Sequence, residues 1–382
     1  MHNQAYMILY FVFLSSLVIL ILSSKRMSFI DKVDARELNN IDSLRGSLAL
    51  MVVLHHYMFN YFLWKDGYWD INGYNLFRFL GPLAVYVFFI ISGYLFSSIE
   101  KKSFPKWIEF YKKRIFRIIP VCLISSIICI FISYVLGNKK DLSVLNISYW
   151  LDGGLLNKRP ELFGFSDSNL INAGVTWTLH WEWLLYISLP FISLILKKER
   201  RLIASVAVST LCIIAYCVIK KYVHDTDLSN TFKYIFCFSC GYTCRFMKSE
   251  RLVRYLTSKI TILITILISI IIIISGNTYG IPTAMVAFII FYNVINGRSI
   301  FGLLKVQGLR RIGVVSYSIY LMHGICWFIG FHLITKDSNI ITMSSLTFLT
   351  IIILSIITSL LIEYPSYNWT KNTSKNKTTQ LK

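Results

Sequence analysis

Long apolar runs separated by short polar stretches set the pattern of this chain. They fall at 5–23, 46–63, 80–98, 116–136, 179–196, 202–219, 230–244, 260–275, 281–295, 312–334 and 341–362. A helix rises ~1.5 Å per residue, so about 20 apolar residues cross a hydrocarbon layer ~30 Å thick. The pattern predicts an all-α, polytopic transmembrane bundle of about eleven spans. The first run is followed by Lys25, Arg26, Lys32 and Arg36, with no positive charge before it and no small-residue cleavage site behind it. It reads as a retained span with its N-terminus outside, not as a signal peptide. Segments 24–45, 99–117, 197–201, 245–259, 296–311 and the tail after 363 carry 29 of the 39 Lys and Arg residues. That alternation places them in the cytoplasm, with the C-terminus inside. The long outer segment 137–178, with Gly153, Gly154, Pro160, Gly164 and Gly174, reads as an irregular cap. The polar tail is expected to be disordered.

Composition narrows the class. With 55% hydrophobic and 15% charged residues and a mean hydropathy of +0.59, the chain lies far from the roughly 25% charged of a soluble domain. It reads as an integral membrane protein with no room for a large extramembrane domain. A net charge of +20 follows from the positive-inside bias. Nucleic acid is not an expected partner, since no soluble basic module with base-stacking aromatics is present. The eight cysteines all lie in apolar runs, where cysteine packs as a small hydrophobe. Cys237 and Cys240 have the spacing of half a metal site but lack a second pair. No metal is expected.

One stretch carries ionisable groups into an apolar run. From Asp42 to Tyr57, Arg45 and His56 stand eleven residues apart and fall within roughly 20° of one helical face. His56 would sit about 16 Å deeper than Arg45, near mid-membrane, while His55 points away. Ionisable side chains at that depth face a bundle interior or a wet cavity and point to function.

Asp42-x-x-Arg45-Gly46 followed by His56 resembles the opening motif of the acyltransferase-3 membrane family. Val85 to Leu95, containing Phe88-Phe89-x-x-Ser92-Gly93, is similar to a second family segment, although Tyr86 stands where aspartate is common. Phe110 to Pro120 resembles its basic segment, and Trp177-Thr178-Leu179-His180-Trp181-Glu182 a further motif. Ser316-Tyr317-x-x-Tyr320-Leu321-x-His323 and Glu363-Tyr364-Pro365 close the series. The resemblance covers roughly 41–367 and departs in the additional span at 5–23, since the family core commonly has ten helices. It implies O-acylation of bacterial surface carbohydrates and other extracytoplasmic acceptors.

Residue chemistry agrees with that implication. His56 can take a proton from an attacking hydroxyl as general base. Ser316, Tyr320 and His323 share one face, which would line the same cavity, with His323 as orienter or proton partner. Arg45, Arg114 and Arg117, near the cytoplasmic mouths of their spans, suit the phosphates of a coenzyme A donor, with Ser92 and Gly93 beside them. Glu182, among Trp177, Trp181 and Trp183, is expected to bind the acceptor or orient catalysis, with Trp177 and Tyr320 as further substrate contacts. Glu363, at a helix C-terminus, is expected to pair with a cytoplasmic arginine. The resulting expectation is an inner-membrane O-acyltransferase, with acetyl-CoA as co-substrate and a surface polysaccharide or lipid-linked oligosaccharide as acceptor. Residues 1–40 form the additional span and linker, 41–367 the acyltransferase domain and 368–382 the tail. The alternatives are a secondary transporter, against which stands the lack of visible repeats, and a polysaccharide-export or flipping component, which would not require Arg45 and His56 on one face.

Overall fold

The computed structural model describes residues 4–33, 39–71, 73–97, 103–139, 143–195, 200–300, 302–334 and 339–370. Fourteen α-helices occur among them: α1 Gln4–Ser23, α2 Asn40–Asp66, α3 Asn75–Phe96, α4 Phe104–Leu136, α5 Val144–Trp150, α6 Trp177–Ile195 and α7 Arg201–Val218, then α8 Thr226–Phe246, α9 Glu250–Leu256, α10 Lys259–Ser275, α11 Ile281–Ile295, α12 Gln307–Val314, α13 Ser316–Ile329 and α14 Ile340–Thr358. The only β pairing among the described residues is an isolated bridge between Leu162 and Phe165.

Every apolar run falls on helix. Among the described residues, six helices are long and apolar enough to cross a membrane, or seven if the bent pair α9–α10 counts as one span. Two of the remaining runs fall short for visible reasons. Helix α11 has 15 residues, and α2 carries Asp42, Arg45, His55, His56 and Asn60, which lower its mean hydropathy. Apolar side chains face outward along the bundle, as at Ile260, Ile271 and Ile274 of α10, which are 70%, 64% and 77% exposed. Polar ones such as Asp42, Asn60, His323 and Glu363 are buried. This inside-out distribution is what a hydrocarbon solvent selects.

Helix α2 is central. The Asn39 side chain accepts from the backbone of Ile41 and Asp42, and Asp42 accepts the Asn39 N–H at 2.9 Å. This capping box starts the helix. Gly67, at φ 76°, ends it in the left-handed conformation that glycine adopts without strain. Two glycines let α2 and α12 touch backbone to backbone. A Cβ on Gly46 would lie 2.3 Å from the Leu309 carbonyl oxygen, and one on Gly313 would lie 1.7 Å from that of Asp42. The additional span α1 is part of the same packing. Its Phe11 is 1% exposed and stacks edge-on against Tyr57 at 4.6 Å. Arg311 of α12 donates to the carbonyls of Leu22 and Ser24 and to the Asp31 carboxylate, at 2.5–2.9 Å. That guanidinium holds the Asp31 carboxyl below its usual range.

Two segments depart from expectation. The run 312–334 is broken at Val315, where α12 ends and α13 begins. The outer segment covers the bundle end and also enters it. Ser168, Ile171 and Asn172 are fully buried, Val175 and Thr176 nearly so. A Cβ on Gly324 would lie 2.4 Å from the Asn172 carbonyl carbon, so the loop rests on α13 beside His323. Helix α6 consequently starts inside the bundle. At the other end of the chain, residues 364–370 continue as helix, so the tail expected to be disordered over 368–382 begins ordered, and its residues 371–382 lie outside the described residues.

If the α2–α12 contact is the packing seam described, Gly46→Ala and Gly313→Ala should each destabilise the protein by about 1–3 kcal/mol, the cost of overpacking. Thermal unfolding in detergent should show a lowered Tm for both. An unchanged Tm in both would mean that the helices are not in this contact.

Candidate active site

Neighbouring histidines on α2 point to different partners. The His55 Nδ1 lies 2.8 Å from the Phe77 carbonyl, and its ring fills the space left by Gly81, where a Cβ would come within 2.5 Å of it. His55 is 6% exposed and committed to the α2–α3 contact. His56 turns toward α13, with its Nδ1 2.9 Å from the Nε2 of His323. The His323 Nδ1 lies 2.9 Å from the Ile319 carbonyl oxygen. A carbonyl only accepts, so this nitrogen carries the proton and the His323 Nε2 carries a lone pair. In the neutral pair the His56 Nδ1–H then donates to His323, and the His56 Nε2 is left with a lone pair. The second nitrogen thus sets the tautomer of the first ring.

A cavity of about 160 Å³ gathers Arg45, Ser92, Arg114, Arg117, Glu182 and Tyr320 from five helices, together with Tyr186 and Ser316. The Arg114 guanidinium lies 5.4 Å, 5.6 Å and 6.0 Å from the rings of Phe96, Phe110 and Tyr186. Its Nε has no hydrogen-bond partner among the described residues. Aromatic faces attract a cation without using up its donors. Tyr186, one turn after Glu182 on α6, donates to the Glu182 carboxylate. Glu363 is 4% exposed, accepts from Ser318 at 3.0 Å and Ser359 at 3.2 Å, and interacts electrostatically with Arg117 and Arg45. Three guanidiniums against two carboxylates leave the region net positive. The chain runs on as helix beyond Glu363, so the expected place at a helix C-terminus does not hold, while its electrostatic pairing with arginine is present.

Tyr320 lines the cavity on the side of the histidine pair. The Tyr320 hydroxyl accepts from Thr178 at 2.9 Å and donates to the Val175 carbonyl at 3.2 Å, and its ring lies 6.0 Å from that of His323. The histidine pair is therefore next to the cavity, behind this tyrosine, and not in its lining. Two residues expected nearby sit elsewhere. Gly93 packs on α8, where a Cβ would lie 2.1 Å from the Phe238 carbonyl oxygen. Trp177 joins Phe89 and Tyr234 in an aromatic cluster, at 6.1 Å and 5.2 Å. Glu182, expected at the outer mouth, lies among the arginines because the outer loop carries the start of α6 into the bundle. Tyr186 was missed by sequence reasoning, although its spacing of four from Glu182 puts both on one face. The aromatic seat of Arg114 had no such signal, since Phe96 comes from another helix.

No curated protein and no solved structure is similar enough to match. The family model described as an acyltransferase domain matches residues 38–364, which takes in all the cavity arginines, Glu182 and both paired histidines. With most of its length covered by that model, this multi-pass membrane protein belongs to the acyltransferase-3 family of acyltransferases.

Proposed function

We propose that the protein is an O-acyltransferase of the bacterial inner membrane, moving an acetyl group from cytoplasmic acetyl-CoA to a hydroxyl of a surface polysaccharide or its lipid-linked intermediate. The observation that carries this reading is an arginine-lined cavity whose Tyr320 lies against a histidine pair with a lone pair on the His56 Nε2. Arg45, Arg114 and Arg117 would hold the phosphates of the donor. Arginine suits this task because its planar fork bonds phosphate through two nitrogens. Its thioester arm would pass Ser92 and Tyr320 toward His56.

At His56 the acceptor hydroxyl gives its proton to Nε2 while its oxygen attacks the thioester carbonyl carbon. The carbon–sulfur bond then breaks, and the departing sulfur takes the proton from the imidazolium to leave as the coenzyme thiol. His323 accepts the Nδ1–H throughout, which fixes the ring and stabilises its charged form. The Tyr186–Glu182 pair keeps a carboxylate from closing on Arg114, so the guanidinium stays open to a ligand.

On this reading His56→Ala should lower acyl transfer by at least about 10²-fold, the lower end of what a general base contributes, while the protein accumulates normally. His55→Ala should be far milder in turnover per folded molecule and should lower the Tm. Steady-state kinetics of purified variants decide this, and near-normal turnover in His56→Ala would remove it as the base. For the donor site, Arg114→Lys and Arg117→Lys keep the charge but lose the fork. Each should raise the acetyl-CoA KM roughly tenfold, with a smaller change in kcat. If both variants keep the wild-type KM, the arginines serve topology and not the donor.

A further inference from the structure

The connection between α2 and α3 places one aromatic ring over His56. Trp69 stacks on the imidazole with centroids 6.3 Å apart and planes at 25°, and meets Phe59 at 5.0 Å. Tryptophans at span ends commonly anchor a protein at the membrane interface. Trp64 and Tyr68 fit that role, at 38% and 44% exposed. Trp69 does not, because its ring is folded back onto a buried-side histidine. The connection is held in that shape: Ile71 is fully buried, Asp70 accepts the Ile71 N–H at 2.7 Å, and Arg78 of α3 pairs with the Asp70 carboxylate. The Trp69 indole N–H donates to none of the described residues, and the ring is half-buried, so part of it remains open.

A flat apolar face beside an unused donor matches a pyranose, whose axial C–H groups form an apolar face and whose rim carries hydroxyls. Few other ligands need both at once. Asn60, one turn beyond His56 and fully buried, donates to the His56 carbonyl at 2.9 Å, and its Oδ1 has no partner among the described residues. A second unsatisfied polar atom therefore lies in the same stretch. The residues expected to bind the acceptor, Trp177 and Glu182, lie in the Tyr234 cluster and among the arginines.

We propose that Trp69 is the platform for the acceptor sugar. A pyranose packs against the open part of the indole, with one hydroxyl at the ring edge accepting from the in-plane indole N–H and a neighbouring hydroxyl presented to the His56 Nε2. This rests on the acyl-transfer reading above and adds where the acceptor binds and of what chemical class it is. It also separates the two substrates: the donor enters through the arginine-lined cavity, and the acceptor approaches from the α2–α3 connection.

The test uses purified full-length protein, acetyl-CoA and a panel of methyl hexopyranosides as acceptor probes. Trp69→Ala should raise the acceptor KM at least tenfold and leave the acetyl-CoA KM within twofold. Trp69→Phe, which keeps a face but loses the N–H, should fall between. An unchanged acceptor KM in Trp69→Ala would overturn the proposal. If that variant does not accumulate, Trp69→Phe decides: a severalfold rise supports the platform and no rise overturns it. If wild type transfers to none of the probes, the acyl-transfer reading is what has failed. Saturation-transfer NMR of the same glycosides then tests the platform directly. Signals in wild type that weaken in Trp69→Phe support it, and signals equal in both, or absent from wild type, overturn it.

Discussion

The hydrogen bond between His56 and His323 is the constraint around which the rest of the bundle is arranged. Two imidazoles in an apolar interior must find partners or carry a heavy desolvation cost. Here each satisfies the other, and the Ile319 carbonyl closes the chain. The bond works only if α2 and α13 keep a fixed register. Gly46 and Gly313 supply it by letting α2 meet α12, the helix leading into α13. The Trp327 indole adds a further tie, donating to the Val53 carbonyl at 3.0 Å. Packing and position are thus coupled: the same helix that is locked by glycine contacts presents the lone pair of the His56 Nε2.

Charge is handled differently on the two sides of Tyr320. On one side, guanidiniums collect beside carboxylates that are themselves held by hydroxyls, Tyr186 on Glu182 and Ser318 with Ser359 on Glu363. Hydroxyl donors stabilise the carboxylates without consuming the arginines' hydrogen-bonding capacity. On the other side no carboxylate among the described residues is shown touching the histidine pair, and its environment is aromatic: Trp69, Phe59 and Tyr320. A charged coenzyme and a neutral sugar would each meet surroundings suited to it, with the reacting bond at the boundary.

Much of this was legible in the sequence, for identifiable reasons. Apolar runs of membrane length fix helices, and an eleven-residue spacing fixes a shared face, so α2 with its Arg45 and His56 could be read directly. Motif order supplied the family, which the match over 38–364 shows. What failed depended on long-range packing. Glu182 was assigned to the outer mouth because a loop between spans is ordinarily external, and nothing local says that residues 168–176 turn inward. Gly93 looked suited to a ligand but is used for close approach to α8. Trp69 carried no signal in the sequence, since its stacking on His56 depends on the conformation of a connection pinned by Arg78. Val315 interrupts a continuous apolar run, and hydropathy does not register a local break in helix.

The central claim is that the arginine-lined cavity recognises a phosphate-bearing acyl donor. Calorimetric titration of the wild-type protein with acetyl-CoA, its 3′-dephospho form and acetyl-pantetheine tests it most directly. Affinity should fall at each step as phosphates are removed, and the loss should shrink as salt rises. Equal affinity for all three, or binding of acetyl-pantetheine alone, would contradict the account.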